Sequence, residues 1–233
     1  MVFDVNNYDG KNMIIGICGL IGSGKDTIAD YLQNIHQFRR ESFAHTLKDA
    51  VASVFGWDRE LLEGRTRESR EWREQVDPWW SERLGMPGLT PRYVLQYWGT
   101  EVCRRGFHDD IWIASLENKL RKTHDDIVIS DCRFPNEIQA IKRAGGIVIR
   151  VVRGPEPAWF ELAETVNAGD TGYHWRLSKN ELEKYNIHAS ETAWIGTKFD
   201  AVLDNNQDGL DNLYKQVKNL LANLQPAKAD LLS

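Results

Sequence analysis

A glycine-rich turn between an apolar run and an amphipathic helix is the feature that most limits how this chain can fold. Residues 13–18 (MIIGIC) are apolar, as in a buried strand. After residue 25, apolar side chains recur with the spacing of one helix face, at Ile28, Tyr31, Leu32 and Ile35. Strand, glycine-rich turn and helix in this order open a βαβ unit. The sequence therefore predicts a parallel sheet with one strand leading directly into this turn.

The turn, GLIGSGKDT at residues 19–27, has the composition of a phosphate-binding loop. Glycines let the backbone approach phosphate oxygens, the N–H groups at the helix start point at them, and Lys25 reaches the β- and γ-phosphates. The alternative is a Gly/Ser turn that only caps a helix, but the strand before it and the helix after it favour nucleotide binding. The predicted ATP-binding residues are Gly19, Gly22, Ser23, Gly24, Lys25, Asp26 and Thr27.

Asp26 stands where the common pattern has the Ser or Thr that binds Mg²⁺. Two arrangements are open: Thr27 and ordered water hold the ion indirectly, or the Asp26 carboxylate is itself an oxygen ligand. A second acid, Asp131, follows the apolar run 127–130, where a carboxylate can orient Mg²⁺ through its waters. The predicted metal-binding residues are therefore Asp26, Thr27 and Asp131, and the catalytic candidates at this sheet edge are Lys25 and Arg133.

Beyond the loop, short apolar runs alternate with helical patterns. Strands are predicted at 41–43, 127–130, 147–152 and 200–203, and helices at 47–55, 91–102, 112–121, 136–144 and 210–224. Apolar strands separated by helices indicate the three-layer α/β class, a parallel sheet of about five strands with helices on both faces. The stretches 57–90 and 154–197 lack this periodicity and are expected to leave the core.

The composition is that of a globular protein, with 42% hydrophobic and 27% charged residues. A net charge of -5 argues against nucleic acid as a partner. No apolar run approaches the roughly 18 residues that cross a bilayer, and the first residues lack the pattern of a secretory signal. Three cysteines without metal-type spacing favour free thiols in a reducing compartment. We therefore expect a cytoplasmic protein that does not contact membranes.

Segments along most of the chain carry a more specific pattern. They are FAHTLKDAV (43–51), TPRYVLQYWGTEV (90–102), DIWIASL (110–116), VISDCRFPNEIQAIKRAGG (128–146), IVIRVVR (147–153), HASE (188–191) and FDAVLDNN (199–206). Together with the loop they resemble the deoxynucleoside monophosphate kinases of tailed bacteriophages, relatives of the adenylate kinases with the P-loop NTPase fold. Of these segments, TPRxxLQxxGTE is much more specific than the loop.

The resemblance implies Mg²⁺-dependent transfer of the ATP γ-phosphoryl group to a deoxynucleoside 5′-monophosphate. The diphosphate would supply phage DNA replication in the host cytoplasm, the partners would be small-molecule nucleotides, and a homodimer is left open. Residues 1–233 would form one P-loop kinase domain with its core at about 12–56, 110–153 and 198–225. The segment 57–109 would bind the monophosphate, and 154–197 would form a lid that excludes water and delivers arginines.

With the resemblance, the acceptor candidates are Lys48, Arg92, Gln96 and Thr100, and Arg70 is added from a run of arginines as a candidate phosphate contact. Arg92, Gln96 and Thr100 are spaced i, i+4 and i+8, so they would share one helix face. Arg92 offers a bidentate fork for phosphate, and Gln96 can hydrogen-bond to a base edge. Without the resemblance, these residues would be interpreted as a polar outer surface, as are most of the arginines around Arg70.

Other residues are assigned more loosely. Arg153, as a catalytic residue, and Arg176 are the lid candidates, whereas Arg150 is interpreted as a strand residue. His188 and Glu191 match the HxSE pattern of the family without an evident role. Asn205 and Asn206 would line an adenine pocket or form a turn. Four tryptophans are interpreted mainly as packing residues, with stacking on the nucleobase as the alternative for one of them: Trp72, Trp79, Trp80 and Trp98.

Two other functions compete with this hypothesis. A P-loop kinase of another phosphorylated metabolite, such as phosphomevalonate or dephospho-coenzyme A, also uses an acid and an arginine after a strand, and only TPRxxLQxxGTE argues against it here. A guanine-nucleotide switch would need an NKxD segment to recognise the base. The only Asn-Lys pair, Asn118–Lys119, lacks the aspartate and falls in a predicted helix, which disfavours the switch.

Overall fold

The computed structural model describes residues 12–224 and centres on a sheet of five strands, all parallel. The strands are β1 (Ile14–Cys18), β2 (Arg39–Glu41), β3 (Ile127–Ile129), β4 (Ile147–Val152) and β5 (Ala201–Asp204). Their order across the sheet is β2-β3-β1-β4-β5. The predicted fold class, an α/β fold with a parallel sheet of about five strands, is confirmed.

Helices cover both faces of this sheet. Successive residues of β1 point to opposite faces, so each face of the strand packs against a different set of helices. Ile15 and Ile17 pack into one apolar cluster with side chains of α1 (Lys25–His36) and α12 (Asp211–Leu224). On the opposite face, a Cβ atom on Gly16 would lie 2.6 Å from Ile141 Cδ1 of α8 (Pro135–Arg143). The strand that leads into the phosphate loop is therefore buried on both sides, which fixes the start of the loop.

The second strand lies two residues earlier than the predicted range 41–43. Arg39–Glu41 pairs with β3 at the edge of the sheet, in register Arg39↔Ile127 to Glu41↔Ile129. Its sequence, RRE, has no apolar residue, so periodicity could not reveal it. In the structure its two arginines bond to carboxylates. Phe43 is buried in the turn that follows the strand, and this apolar residue made the predicted strand extend too far along the chain.

The predicted lid, 154–197, contains three helices in the structure: α9 (Phe160–Asn167), α10 (Tyr173–Lys184) and α11 (Ala189–Thr192). Arg150 on β4 connects this segment to the sheet. Its guanidinium lies 4.5 Å from the ring centroid of Phe160 and 5.4 Å from that of Trp194, and it pairs with Glu156. Arg150 is thus a strand residue, as predicted, that also anchors the insertion.

Among the described residues, 43–119 form one compact unit, and 12–42 together with 120–224 form another. Its helices are α2 (His45–Phe55), α3 (Arg59–Glu63), α4 (Arg67–Arg73), α5 (Pro78–Leu84), α6 (Pro91–Tyr97) and α7 (Ile111–Leu120). Its core is rich in aromatic residues, including Phe55, Trp57 and Trp112, with Trp72, Trp80 and Trp98 packed against it. Trp79 differs from the other predicted packing residues because it is 61% exposed.

The helix predicted at 91–102 changes its geometry partway. The α-helix ends at Tyr97, and residues Trp98–Arg105 form a π-helix. The i→i+5 bonding of a π-helix places more residues in each turn, so residues beyond Tyr97 leave the rows of the α-helix. The prediction that Thr100 shares one continuous α-helix face with Arg92 and Gln96 is therefore wrong, although all three side chains are exposed.

Within residues 12–224, no helix is both long and apolar enough to span a membrane. The three cysteines are free thiols, as expected. Cys18 and Cys132 are buried, and burial raises the pKa of the Cys132 thiol well above its usual value. This agrees with the interpretation of both as unreactive core residues.

Candidate active site

The predicted phosphate loop joins the end of β1 at Cys18 to the start of α1 at Lys25. Three of its glycines have positive φ: Gly19 at 149°, Gly22 at 78° and Gly24 at 106°. A Cβ atom on Gly19 would lie 2.6 Å from the Val151 carbonyl oxygen, and one on Gly24 would lie 2.6 Å from Asn205 Nδ2. Glycine is therefore required at both positions by backbone conformation and by the closeness of neighbouring strands.

The side chain of Lys25 lies across this loop. Its Nζ donates hydrogen bonds to the carbonyl oxygens of Gly19 at 2.8 Å and Leu20 at 2.7 Å. Burial lowers the pKa of Lys25, the Arg133 guanidinium lowers it further, and the Glu191 and Asp26 carboxylates oppose both effects. The ammonium group thus lies among the residues expected to surround the transferred phosphate.

Asn205 supports the loop from the end of β5. Its Nδ2 donates a hydrogen bond to the Ser23 carbonyl oxygen at 2.8 Å, and its backbone N–H bonds to Val152. Asn205 is buried and supports the loop in this structure, while its predicted contact with adenine stays a prediction. The sequence signal was an asparagine directly after a strand, which usually indicates a turn.

Ser23 is also buried, and within the described part of the chain its Oγ has no hydrogen-bond partner. A buried hydroxyl without a partner is unfavourable unless a ligand satisfies it. This unsatisfied group, inside a loop of glycines and a lysine, fits a phosphate-bearing ligand.

Asp26 is held by a residue that the sequence did not single out. Its Oδ1 pairs with the guanidinium of Arg40 and accepts a hydrogen bond from Ser130 Oγ at 3.1 Å. Arg40, on β2, also bonds to Asp30 at 2.6 Å, and its side chain is only 12% exposed. The edge strand, which carries no apolar signal, thus fixes the carboxylate at the start of α1.

The predicted metal-binding residues carry oxygen donors of the type that Mg²⁺ prefers. Among the residues that the structure describes, no group of three or more His, Cys, Asp or Glu side chains is placed to hold a metal by itself. Mg²⁺ usually takes one or two carboxylates and completes its shell with phosphate oxygens and water. Asp26 and Asp131 supply two carboxylates, and Thr27 adds a half-buried hydroxyl.

Arg133 follows β3 and contacts the short helix α11. Its Nη1 pairs with the Glu191 carboxylate and lies 3.5 Å from Ser190 Oγ. His188 begins the same helix, and its Nδ1 accepts a hydrogen bond from the Ser190 backbone N–H at 3.2 Å. The HxSE segment, which had no role in the sequence analysis, therefore shapes the surroundings of Arg133.

In the helical unit, Lys48 is bound to a carboxylate. Its Nζ lies 2.7 Å from Glu63 Oε2, and Arg59 Nη1 lies 2.6 Å from Glu63 Oε1. Burial raises the pKa of Glu63, but the hydrogen bonds and charges of Lys48 and Arg59 outweigh it and lower the pKa to about 2. Lys48 is thus positioned by Glu63 in this structure.

Three arginines of the helical unit interact electrostatically. Burial lowers the pKa of Arg73, and the nearby charges of Arg92 and Arg70 contribute to this shift, while Glu74 and Glu63 oppose it. The Arg73 Nε is buried without a hydrogen-bond partner within the described residues, and a Cβ on Gly64 would lie 2.1 Å from Arg73 Nη2. Sequence reasoning missed Arg73 because it looked like one member of a surface charge run.

The other predicted residues occupy more exposed positions. Arg70 donates to the Gly64 and Arg65 carbonyl oxygens, at 3.0 and 3.3 Å, and Arg92 pairs with Glu74 at 3.1 Å. Gln96 is exposed on α6. In the other unit, Arg153 is exposed directly after β4, and Arg176 is exposed on α10. The structure therefore brings together Lys25, Asp26 and Arg133 around the loop, and Arg70, Arg73 and Arg92 in the helical unit.

Comparison with solved structures finds only distant likeness. A shikimate kinase from Acinetobacter baumannii is 13% identical, with a TM-score of 0.39, over 92% of this chain and 96% of that one. The TT1252 protein of Thermus thermophilus is 19% identical, with a TM-score of 0.40, over 92% of this chain and 98% of that one. Because these scores are low, family membership depends on the sequence relatives.

No family model matches the chain, but two curated proteins do. The "Deoxynucleoside-5'-monophosphate kinase" of Escherichia phage T5 is 27% identical, over 56% of this chain and 72% of that protein. The "Putative deoxynucleotide monophosphate kinase" of Acanthamoeba polyphaga mimivirus is 36% identical over 155 residues, which cover 60% of this chain and 74% of that protein. At this identity and coverage, the chain belongs to the deoxynucleotide monophosphate kinase family.

Proposed function

We propose that this protein transfers the γ-phosphoryl group of ATP to the α-phosphate of a deoxynucleoside 5′-monophosphate, giving ADP and the diphosphate. The observation that carries this proposal is the phosphate loop, with Lys25 lying across it, in a member of this family. The name of the phage T5 relative supports a 5′-monophosphate as the acceptor.

On the donor side, the loop would hold the triphosphate of ATP. Lys25 would exchange its bonds to the Gly19 and Leu20 carbonyl oxygens for bonds to β- and γ-phosphate oxygens. Ser23 Oγ, for which the described part of the chain offers no partner, is a further donor for a phosphate oxygen. Lys25 is half-buried and Ser23 is buried, so charge that develops on the transferred phosphate would meet donors with limited exposure to water.

Asp26 and Asp131 would hold Mg²⁺, directly or through water, with Thr27 as an additional oxygen donor. The ion would supply positive charge that neutralises the phosphates during transfer. In this structure Arg40 and Ser130 keep the Asp26 carboxylate at the edge of the sheet, beside the end of β3. Arg40 is therefore a positioning residue in this proposal.

On the acceptor side, Arg92 and Arg73 would bind the phosphate of the monophosphate. Their mutual repulsion, and the unsatisfied Nε of Arg73, would both be relieved by a dianion. Arg70 and Lys48 would add positive charge at the same subsite, while Gln96 would hydrogen-bond to the base edge. Thr100 stays an acceptor candidate, although it belongs to the π-helix.

The reaction needs no side chain to remove a proton from the acceptor. A phosphate monoester carries an ionised oxygen near neutral pH because its second pKa is about 6. Catalysis can therefore consist of alignment and of charge stabilisation by Lys25 and Arg133. We also propose that residues 154–197 act as the lid and that Arg153 or Arg176 completes the site when it closes.

A coupled assay of ATP consumption tests the proposal, with Mg²⁺ and each of dGMP, dTMP, dCMP and dAMP, their ribose counterparts and a no-acceptor control. We expect turnover with at least one deoxynucleoside monophosphate and little ATP hydrolysis without an acceptor. If ATP binds but no nucleoside monophosphate stimulates its use, the proposed acceptor is wrong. Phosphomevalonate and dephospho-coenzyme A would then be tested as acceptors.

A further inference from the structure

The outer surface of α6 carries two tyrosine rings beside the proposed acceptor residues. Tyr93 and Tyr97 are stacked, with ring centroids 5.7 Å apart and an interplanar angle of 14°. They are 42% and 44% exposed, although they lie on a helix whose opposite side is buried. Nearly half of each tyrosine is therefore accessible, and the pair presents apolar ring surface to solvent.

The pair does not belong to the core of the helical unit. Val94 is part of the apolar cluster of that unit, and Leu95 and Trp98 pack against it, so these residues hold the inner side of the helix. Tyr93 and Tyr97 contribute nothing to this cluster. Their stacking therefore leaves apolar ring surface exposed where the packing of the helix does not need it.

Helix geometry places the rings next to Arg92 and Gln96. At about 100° per residue, Arg92, Gln96, Tyr93 and Tyr97 follow one another around an arc of about 140°. Gln96 and Tyr97 are the i+3 and i+4 neighbours of Tyr93, so all three share one patch of helix surface. Arg92 lies one turn before Gln96, about 6 Å along the axis.

This patch has the parts needed to bind a nucleoside monophosphate lengthwise. A cation at one end suits the phosphate, an amide one turn later suits the base edge, and flat apolar rings beside the amide suit the face of a base. Aromatic side chains bind bases of any sequence because every base has a π-face. We propose that the Tyr93–Tyr97 pair is the surface on which the nucleobase of the acceptor stacks.

This inference rests on the proposed function, since it takes Arg92 and Gln96 as acceptor residues. It adds a contact to the ring face of the base, which those two residues do not supply. It also assigns base binding to Tyr93 and Tyr97, and not to the exposed Trp79 of α5.

The test compares Tyr93→Ala and Tyr97→Ala with Tyr93→Phe, Tyr97→Phe and Trp79→Ala in the full chain. We expect each tyrosine-to-alanine variant to raise KM for the preferred monophosphate about tenfold, because loss of one stacking partner weakens base binding by roughly that factor. The KM for ATP and kcat should change less than about twofold. The phenylalanine variants should behave as wild type, since stacking needs the ring and not the hydroxyl.

Inhibition by 2-deoxyribose 5-phosphate separates stacking from damage to the helix. This compound has the sugar and phosphate of the acceptor but no base, so its inhibition constant should be the same in wild type and in the alanine variants. An equal loss for both ligands would overturn the inference, as would an effect of Trp79→Ala with none from the tyrosines. The wild-type measurement tests the proposed function separately. If wild type phosphorylates no monophosphate, the proposed function itself is wrong.

Discussion

Asn205 Nδ2 donates a hydrogen bond to the backbone carbonyl oxygen of Ser23 over 2.8 Å, which ties the end of β5 to the phosphate loop. The two residues are 182 positions apart in the chain, so only the folded sheet brings them together. The loop is therefore fixed by residues on two neighbouring strands, since Val151 of β4 also limits the space at Gly19. Such support would let the loop bind phosphate without first ordering itself.

Replacing Asn205 should therefore weaken ATP binding. In Asn205→Ala the Ser23 carbonyl oxygen loses its donor in a buried place, which costs about 1 to 3 kcal/mol. We expect the KM for ATP to rise about tenfold, while the KM for the acceptor changes little. Gln207→Ala, an exposed substitution two residues later, is the matched control. Equal ATP kinetics for the two variants would contradict a supporting role for Asn205.

Removing the ammonium group of Lys25 should abolish most turnover without unfolding the protein. Lys25→Ala loses a charge placed to stabilise the transferred phosphate, and loss of such a group lowers kcat by about 100- to 1000-fold. Because the hydrogen bonds of Lys25 within residues 12–224 go to loop carbonyls, we expect the melting temperature to stay within a few degrees. Measured kcat and thermal unfolding check both points, and nearly full activity would rule out the proposed mechanism.

Asp26→Ser tests how the carboxylate takes part in metal binding. Arg40 and Ser130 already engage the Asp26 Oδ1, so we expect this side chain to act through water and through its contact with Arg40. The variant should lose activity modestly and keep the wild-type preference between Mg²⁺ and Mn²⁺. A changed preference, measured as the ratio of activities with the two ions, would show instead that Asp26 is a direct ligand.

The sheet and the loop could be predicted from the sequence for a physical reason. Buried parallel strands are continuous apolar runs, and the loop needs glycines at fixed positions, so both leave a recognisable pattern in the sequence. The edge strand Arg39–Glu41 left none, because arginines that pair with carboxylates resemble surface residues. The contacts of Arg40 with Asp26 were missed for the same reason.

The helical unit was harder to predict because its charges and aromatic residues have mixed roles. Arg67 and Arg73 stand in one short segment with similar neighbours, yet Arg67 is 92% exposed whereas the Nε of Arg73 is buried. Only tertiary packing, here the space left by Gly64, distinguishes them. The π-helix after Tyr97 also makes contacts distant in sequence, since Gly99 lies against Leu47 and its carbonyl oxygen accepts a hydrogen bond from Trp112 Nε1.

Glu63 should make stability depend on pH in acid. Its pKa is about 2 in the folded protein, against an ordinary value of 4.5, so the stabilisation is fully present above about pH 4.5. It is lost as the pH falls from 4.5 towards 2, because Glu63 then takes up a proton in the unfolded chain but not in the folded protein. With solvent screening, we expect a contribution on the order of 1 to 2 kcal/mol.

Urea unfolding of wild type and Glu63→Gln at several pH values between 6.5 and 3 measures this contribution. The glutamine variant keeps the shape of the side chain but cannot titrate. Its deficit in free energy of unfolding should be largest near neutral pH and should shrink below pH 4.5. A deficit that stays constant with pH would mean that the carboxylate of Glu63 is not stabilised by Lys48 and Arg59.

Arg73 should show opposite effects on substrate binding and on stability. Its half-buried guanidinium is repelled by Arg92 and Arg70, and its Nε has no hydrogen-bond partner among residues 12–224. Removing it should therefore stabilise the protein without ligand. The same charge is proposed to bind the acceptor phosphate. Arg73→Met should therefore raise the free energy of unfolding by about 0.5 to 1 kcal/mol and raise the KM for the monophosphate at least tenfold.

Arg67→Met is the matched control, since Arg67 is on the same helix, largely exposed and paired with Glu71. It should leave the acceptor KM unchanged and alter stability by less than about 0.5 kcal/mol. Addition of inorganic phosphate should stabilise wild type more than Arg73→Met, measured as the shift in melting temperature. If Arg73→Met destabilises the protein and keeps its acceptor KM, Arg73 is a structural residue and the acceptor phosphate binds elsewhere.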